Sequence, residues 1–454
     1  MEKETKRVIA PERFLPETRT AMRLLLDSGY QVYVVGGAVR DLLVGIDPVD
    51  YDLATDATPD AIMRVFSDYT VIPTGVAHGT VTVRIGAVSI EITTFRYDGT
   101  YTDKRHPDNV IFGHSLREDA ARRDFTVNAM GLDQDGTLFD YFDGYTDLSN
   151  RVIRAVGDPV ARMREDALRI LRALRFSSMR GFALEERTEA AIRGEARLLC
   201  EIAPERIWKE LLGILCGIAP GDLLLRYTDV LGVIIPEILP MKGFEQYNPY
   251  HDRDVLAHTA AVVAAVPPNP NLRLAALFHD IGKPSVFTRD ENGIGHFYGH
   301  QKISCEIASA VMTRLRADKN TKETVETLVR WHDCPIEPDV KTIRRRLNRF
   351  GESTLRDLLT LKRADTLGQA EPRDERMALL DKAETVLEEV LRARDCFTLS
   401  QLAINGDDLI RFGLEKGPQV GASLRKALSA VMDGEISNQR EEILRYLSQS
   451  NDAT

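Results

Sequence analysis

The strand-like pattern of this chain ends near residue 155, and this change limits the fold more than any other feature. Before it, β-branched and polar residues alternate in TVTVRI (80–85) and VSIEITT (88–94), which a short turn at Gly86 joins. After Asp158 the apolar residues follow a helical spacing almost throughout. The sequence therefore predicts an α+β fold in which a mixed-sheet head precedes a long all-α part.

Composition narrows the class of protein. The five cysteines form no CxxC pair, which indicates a reducing compartment without disulfides or thiolate-bound zinc. No apolar stretch reaches the ~18 residues of a membrane span, and the charged N-terminus leads into no signal peptide. We therefore expect a cytoplasmic protein with no membrane partner and no evident obligate protein partner. The net charge of -10 disfavours unspecific nucleic-acid binding, although local arginine clusters are compatible with a basic groove.

A glycine pair and two alternating carboxylates stand close together in YVVGGAVRDLLVGIDPVDYDLAT (33–55). If Asp50 and Asp52 lie on a strand, their side chains point to the same face. Two carboxylates so close repel each other unless a cation lies between them, and oxygen ligands favour Mg²⁺. Glu91, on a predicted neighbouring strand, adds a third carboxylate. The sequence thus predicts a catalytic group of carboxylates that holds Mg²⁺.

The residues around this group favour a phosphate ligand. Gly36 and Gly37 allow the backbone to approach a ligand closely, and a helix that begins directly after them would present its N-terminus together with Arg40. In ARRDFTVNAM, Arg123 suits a triphosphate, and Asp124 suits either a ribose hydroxyl or an arginine. A phosphate cradle facing a metal site indicates phosphoryl or nucleotidyl transfer.

The segment RMREDALRILRALRF (162–176) predicts an amphipathic helix with charged residues on one side. Asp166 and Arg169 stand one turn apart, so they can face one flat base together. A carboxylate accepts from an exocyclic amino group and a guanidinium donates to a ring nitrogen. Cytosine and adenine present this pattern, whereas uracil and guanine present the opposite one. The pair therefore predicts acceptance of CTP and ATP, with Glu165 holding Arg169 in place.

Four motifs in this order, VGGAVRDLL, DYDLAT, RRDFTVNAM and REDALRILRALRF, resemble those of the class II tRNA nucleotidyltransferases, the CCA-adding enzymes, and of the related bacterial poly(A) polymerases. The resemblance continues in APERIWKEL (203–211) and in residues 402–428. It implies a nucleotidyltransferase-type head and template-independent addition of CCA to the 3′ end of tRNA. The substrates would be CTP and ATP, pyrophosphate would be released, and the helical part would grip the acceptor stem and elbow of tRNA.

The resemblance also implies roles for individual residues. Asp50 and Asp52 would hold catalytic Mg²⁺, and Asp166 with Arg169 would be the base-reading pair. The remaining matches fall on nucleotide-binding positions of the family: Gly37, Arg40, Arg123, Arg172 and Arg175.

Four histidines and two aspartates between about 245 and 370 form a second constellation. Their order, H…HD…D with further histidines, resembles the HD phosphohydrolase superfamily. The residues are His258, His279, Asp280 and Asp365, with His300 and His332 as additional ligands. Imidazole and carboxylate ligands suit Mg²⁺, Mn²⁺, Ni²⁺ or Fe, and such an ion would support hydrolysis of a phosphoester. The resemblance implies cyclic phosphodiesterase, nucleotidase or phosphatase activity.

Three other functions remain open alternatives. Residues 93–112 resemble the flexible loop that CC-adding relatives lack, and residues 66–90 contain no RRF-like motif of the poly(A) polymerases. Both observations favour CCA addition. The alternatives are an A-adding enzyme, a poly(A) polymerase, or a protein that acts mainly as an HD-type phosphohydrolase.

These assignments divide the chain into four predicted domains. They are a nucleotidyltransferase head (1–150), a helical neck and body with the nucleotide-reading helix (151–240), an HD metal-binding helical domain (241–370) and a helical, tRNA-binding tail (371–454).

Overall fold

The computed structural model describes residues 8–98, 110–113 and 115–451. Residues 99–109 of the predicted flexible loop therefore lie outside the described residues. The chain divides into two compact units, Met1–Ala219 with Tyr227–Pro236, and Pro220–Arg226 with Glu237–Thr454. The predicted α+β class is confirmed, because the first unit contains a mixed sheet and the second consists mainly of helices.

A seven-stranded sheet forms the centre of the first unit. The strands of this unit are β1 (Val32–Val35), β2 (Asp52–Thr55), β3 (Thr70–Gly75), β4 (Thr80–Ile85), β5 (Val88–Thr94), β6 (Arg96–Asp98), β7 (Val110–Phe112), β8 (Met130–Leu132), β9 (Leu138–Asp140), β10 (Val152–Ile153) and β11 (Ala183–Leu184). The sheet order is β3-β4-β5-β2-β1-β8-β9, and its one parallel pair is β2 with β5. The other two described pairs are β6 with β7 and β10 with β11.

Strands β4 and β5 follow from their alternating sequence. Val81 and Val83 of β4 and Ile90 and Ile92 of β5 are fully buried, while the polar residues between them point to the other face. The turn between the strands requires Gly86, whose φ is +60°. The hairpin predicted from residues 80–94 is thus present, and it places β5 beside β2.

Helices cover the sheet and extend the first unit. They are α1 (Pro16–Asp27), α2 (Gly37–Leu43), α3 (Pro59–Val65), α4 (Leu116–Ala121), α5 (Gly144–Ser149), α6 (Pro159–Glu165), α7 (Leu168–Arg180), α8 (Glu186–Glu195), α9 (Pro204–Leu215), then α10 (Pro220–Arg226), which belongs to the second unit, and α11 (Thr228–Ile234). Helix α3 begins as expected for a Thr-Pro pair, because Thr58 Oγ1 accepts a hydrogen bond from the amide of Ala61.

The second unit contains long helices and one short hairpin. The helices are α12 (Val255–Ala265), α13 (Pro270–Phe278), α14 (His300–Arg314), α15 (Lys319–Trp331), α16 (Val340–Gly368), α17 (Asp374–Arg392), α18 (Gly406–Arg411), α19 (Pro418–Met432) and α20 (Arg440–Asn451), and the hairpin is β12 (Thr288–Arg289) with β13 (Gly295–His296). Helix α16 is kinked at Gly351, whose φ of +74° is not helical. Among the described helices of the whole chain, none is long and apolar enough to cross a membrane.

Candidate functional site

The glycine turn after β1 brings the backbone against two charged side chains. Gly36 has a φ of +73°, and a Cβ atom there would lie 3.4 Å from Asp52 Oδ2 and 3.4 Å from Arg123 Nη1. Any larger residue at position 36 would thus combine backbone strain with contact to both groups. Helix α2 begins at the next residue, Gly37.

The predicted carboxylates are only partly on strands. Asp52 is the first residue of β2 and lies in register with Glu91 on the parallel strand β5. The expectation that Asp50 shares this strand is wrong, since Asp50 lies in an exposed bend. The reason is that β1 ends at Val35, the partner of Asp52, so the ladder with β1 does not reach back to Asp50.

Asp52 lies in an electrostatically unfavourable place for a carboxylate. Desolvation at the site raises the pKa of the Asp52 carboxyl, the neighbouring Glu91 raises it further, and Arg123 opposes both effects. A bound cation would relieve this repulsion, so these residues fit a divalent ion.

A cavity of about 440 Å³ in the first unit collects most of the predicted nucleotide-binding residues. Its wall contains Gly36, Gly37, Arg40, Asp52, Arg123, Asp124, Asp166, Arg169 and Arg172. Four predicted residues do not line it: Asp50, Glu91, Glu165 and Arg175. Arg122, which stands beside Arg123 in the RRD motif, also lines it, and three lining residues were not singled out from the sequence: Asn128, Phe176 and Arg206. Of these, Asn128 could have been found, because it is a polar residue within the apolar turn FTVNAM.

Buried carboxylates hold the arginines of this cavity. Asp119, fully buried, accepts from Arg122 (2.6 Å) and Arg123 (2.9 Å). Burial alone would raise the pKa of Asp119, but the two guanidiniums outweigh it and lower the pKa. Asp124 is held in the same way, because burial would raise its pKa and Arg172, 2.5 Å away, lowers it.

The two residues predicted to read a base line the same cavity, but not from one helix. The expectation of a continuous helix over 162–176 is wrong, since α6 ends at Glu165 and Asp166 has extended φ and ψ of -139° and 101°. The Asp166 side chain takes the place of a backbone acceptor, because its Oδ1 accepts from the amide of Leu168 (3.1 Å) at the start of α7. Its Oδ2 accepts from Arg206 Nη2 on α9 (2.9 Å).

Arg169 is fixed by three acceptors. Its Nη1 donates to Glu165 Oε2 (2.8 Å) and to the carbonyl of Arg162 (3.2 Å), and its Nη2 donates to the carbonyl of Arg122 (2.9 Å). These bonds engage three of its five N–H groups, so within the described part of the chain Nε–H and one Nη2–H remain for a ligand.

Phe176 on α7 organises three guanidiniums. The ring centroid lies 5.4 Å from Arg40, 5.6 Å from Arg172 and 4.5 Å from Arg175. Arg175 does not line the cavity, and its Nε donates to Glu210 Oε2 (2.6 Å). Arg40 donates to Asn128 Oδ1 (2.8 Å), and burial lowers the pKa of its guanidinium.

A second group of side chains converges inside the second unit. Histidines and aspartates from five helices or helix ends meet there: His258 on α12, His279 and Asp280 directly after α13, His300 at the start of α14, His332 directly after α15, and Asp365 on α16.

Backbone carbonyls fix the four imidazoles in one orientation. In each ring Nδ1 lies against a carbonyl oxygen, which can only accept, so Nδ1 carries the hydrogen and Nε2 keeps its lone pair when the ring is neutral. The pairs are His258 with Gly368 (3.2 Å), His279 with Ala276 (2.8 Å), His300 with Phe297 (2.8 Å) and His332 with Val329 (2.7 Å). The chain thus directs four Nε2 lone pairs inward, as ligands of a metal require.

The carboxylate of Asp280 lies between two pairs of imidazoles. Its Oδ2 is 3.4 Å from Nε2 of His258 and 3.2 Å from Nε2 of His279. Its Oδ1 is 3.3 Å from Nε2 of His300 and 3.9 Å from Nε2 of His332. Asp365 adds an oxygen 2.9 Å from His258 Nε2. Among the described residues, the two groups of three potential ligands within 4.8 Å both include Asp280.

Positive groups around Asp280 keep its buried carboxylate ionised. Burial would raise the pKa of Asp280, but His279 and Lys283 hold it well below the usual value. Lys283 Nζ lies 2.7 Å from Asp280 Oδ2 and donates to Gln246 Oε1 (2.8 Å), a residue not singled out from the sequence. Burial lowers the pKa of His332 to about 3, so this ring is neutral near pH 7. Imidazole nitrogens and carboxylate oxygens together fit a divalent transition metal.

Three family models match segments of this chain. The family described as "Poly A polymerase head domain" matches residues 32–154, the "RNA and SrmB- binding site of polymerase A" matches 181–242, and "tRNA nucleotidyltransferase domain 2" matches 287–447.

Whole proteins match over nearly the full chain. A CCA-adding enzyme of Levilactobacillus brevis is 34% identical over 96% of this chain and 97% of its own length. One of Geobacillus kaustophilus is 34% identical over 95% and 96%. The solved Bacillus stearothermophilus CCA-adding enzyme in complex with CTP has a TM-score of 0.71 at 30% identity and covers 97% of this chain and 99% of its own. The Thermotoga maritima CCA-adding enzyme complexed with tRNA shares the fold, with a TM-score of 0.59 at 22% identity over 97% of each chain. The chain belongs to the class II CCA-adding enzyme family.

Proposed function

We propose that this chain adds CCA to the 3′ end of tRNA, using CTP twice and then ATP, without a nucleic-acid template. The observation that carries this proposal is that Asp166 and Arg169 line the same cavity as Asp52 and the glycine turn. One nucleotide can therefore meet the base-reading pair and the transfer site together. Relatives named CCA-adding enzymes, and their solved complexes with CTP, with ATP and with tRNA, support the proposal.

The base is selected by protein groups. Asp166 accepts from the exocyclic amino group of cytosine or adenine, because each of its oxygens has a lone pair beyond the bond that it already accepts. The remaining N–H groups of Arg169 donate to the ring nitrogen. Uracil and guanine would place a donor against Arg169 and an acceptor against Asp166, which leaves buried groups unpaired.

The transfer joins the 3′-oxygen of tRNA to the α-phosphorus of the nucleotide and breaks the bond from that phosphorus to the bridging oxygen of pyrophosphate. Arg40, Arg123 and Arg172 bind the triphosphate, each fixed by a protein partner. Asp50 and Asp52 would hold Mg²⁺, with Glu91 opposite Asp52 on β5, and the ion would supply charge stabilisation for this reaction. Val35, the last residue of β1, pairs with Asp52, the first residue of β2. This pairing keeps the glycine turn beside the Asp52 carboxylate.

The helical parts bind tRNA. We propose the division into a head (1–150), a neck and body (151–240), an HD domain (241–370) and a tail (371–454), in which helical surfaces bind the acceptor stem and elbow mainly through phosphates.

An extension assay tests the transferase proposal. Labelled tRNA ending at the discriminator base should gain two nucleotides with CTP alone and three with CTP and ATP. Addition of one A only to tRNA already ending in CC would indicate an A-adding enzyme instead. Long A tails on arbitrary RNA would indicate a poly(A) polymerase.

A second activity, hydrolysis of phosphoesters in the second unit, is favoured by the four inward-facing Nε2 atoms around Asp280. His258, His279 and Asp365 with one oxygen of Asp280 would hold one divalent ion. His300 and His332 with the other oxygen would hold another, so that Asp280 would bridge the two. Such ions supply an activated water for phosphoester hydrolysis. If this were the only activity, Asp52→Ala would change nothing and His279→Ala would abolish it.

A further inference from the structure

An exposed aromatic ring lines the same cavity as residues of the histidine cluster. The cavity, about 380 Å³, is lined by Asp280, His300, His332 and Tyr298, among others. Tyr298 is 78% exposed, so a large apolar ring is left in water next to the candidate metal ligands. Isolated exposed aromatics are common, so the surroundings of this ring decide its meaning.

The ring of Tyr298 is held from one side. His296, on β13, stacks against it with ring planes 7° apart and centroids 5.3 Å apart. His296 is in turn fixed by Asp290, whose Oδ2 lies 2.9 Å from its Nε2. The other oxygen of Asp290 accepts from the amides of Asn292 and Ile294 (2.9 Å each), which closes the turn of the hairpin. A residue of the hairpin, His296, therefore supports one face of the Tyr298 ring.

A second tyrosine at the same cavity differs in its surroundings. Tyr250 is 59% exposed, and the guanidinium of Arg376 lies 5.5 Å from its ring centroid. A cation near the ring competes for the stacking surface. Tyr250 is therefore a matched aromatic for comparison with Tyr298.

We propose that Tyr298 is a stacking platform for a nucleobase, which makes the substrates of this site nucleoside phosphoesters in preference to simple phosphate esters. The phosphate group lies toward Asp280 and the histidines, and the base lies on the open face of Tyr298. Every base presents a π-face, so the platform selects nucleotides as a class without selecting a particular base. The inference rests on the proposed hydrolytic function of the second unit.

Binding of two phosphonates tests the platform, because their P–C bonds resist hydrolysis. The probes are the phosphonate analogue of a nucleoside monophosphate and methylphosphonate, which has the same charged group without a base. Titration calorimetry uses the full chain loaded with Mn²⁺ and carrying Asp166→Ala, which removes base reading in the head. We expect the nucleoside phosphonate to bind about tenfold more tightly than methylphosphonate. Tyr298→Ala should abolish this preference, while Tyr298→Phe and Tyr250→Ala should retain it.

Methylphosphonate serves as the internal control, since unchanged affinity for it in Tyr298→Ala shows an intact metal centre. Retention of the tenfold preference by Tyr298→Ala, or its loss in Tyr250→Ala instead, would overturn the platform and leave the hydrolytic function standing. If the full chain that carries only Asp166→Ala binds neither phosphonate, this result would contradict the hydrolytic function, and the platform with it.

Discussion

The two candidate sites of this chain fix their functional side chains in opposite ways. In the first unit, buried carboxylates hold arginines, as Asp119 holds Arg123 and Asp124 holds Arg172. In the second unit, backbone carbonyls hold imidazoles, as Gly368 holds His258. The first arrangement presents fixed positive charge for a phosphate, whereas the second presents lone pairs for a cation. Under the proposed functions, the first site would bind the phosphates of its substrate through arginines, and the second would bind its substrate through a metal ion.

The largest effect should separate the two sites. Asp52→Ala removes the one predicted metal-binding carboxylate that lines the head cavity, so we expect nucleotide addition to fall ~10³-fold or more. Phosphoester hydrolysis should be unchanged. Asp280→Ala, measured in the same two assays, should lose phosphoester hydrolysis and keep nucleotide addition. Parallel loss of both activities in either variant would show that the sites are not independent.

The next effect concerns the stability of the head. Asp119 has a lowered pKa in the folded protein, so its ion pairs stabilise the fold above the pKa of the unfolded carboxyl, and this contribution is lost as pH falls through the lower folded value. Asp119→Asn should therefore reduce the free energy of unfolding by about 3 kcal/mol at pH 7. Urea unfolding should show the difference shrinking as the pH falls below about 3.8. A difference that is the same at pH 7 and pH 3 would contradict this account.

A smaller effect tests whether side-chain ion pairs set base selection. Arg206→Met removes the donor to Asp166 Oδ2, and we expect the preference for CTP over UTP to fall about tenfold. Arg164→Met is the matched control, because Arg164 pairs with Glu195 at the surface of the neighbouring helix. If both variants select CTP equally well, Arg206 does not position Asp166.

The smallest effect is in metal content. Chains carrying Asp52→Ala, loaded with Mn²⁺ and desalted, should retain two ions in the second unit, because Asp280 faces two groups of ligands. His300→Ala should halve this to one, and His296→Ala, at the same cavity, should not. Elemental analysis measures the ratio. One ion in the chain with all six ligands would contradict the bridging arrangement.

Much of both sites could be predicted from the sequence. The glycine pair and the hairpin over 80–94 depend on backbone conformation and on residues close in the chain, whereas the histidines were predicted from the resemblance of their order to the HD superfamily. The predictions that were wrong extended a strand or a helix beyond the residues that it pairs or bonds with. Asp50 leaves the strand because β1 ends at Val35, and Asp166 leaves the helix because its side chain bonds to the amide of Leu168. Arg206 was missed because its bond to Asp166 joins residues 40 positions apart, which no local pattern encodes.

We propose that Asp166 and Arg169 select the base, and incorporation of each nucleotide alone tests this selection most directly. On tRNA ending at the discriminator base, the unchanged chain should use CTP at least about a hundredfold more efficiently than UTP. Asp166→Ala should bring the two rates within about tenfold of each other, with the tRNA affinity unchanged. Undiminished rejection of UTP by Asp166→Ala would contradict the claim, since the base would then be read by other groups.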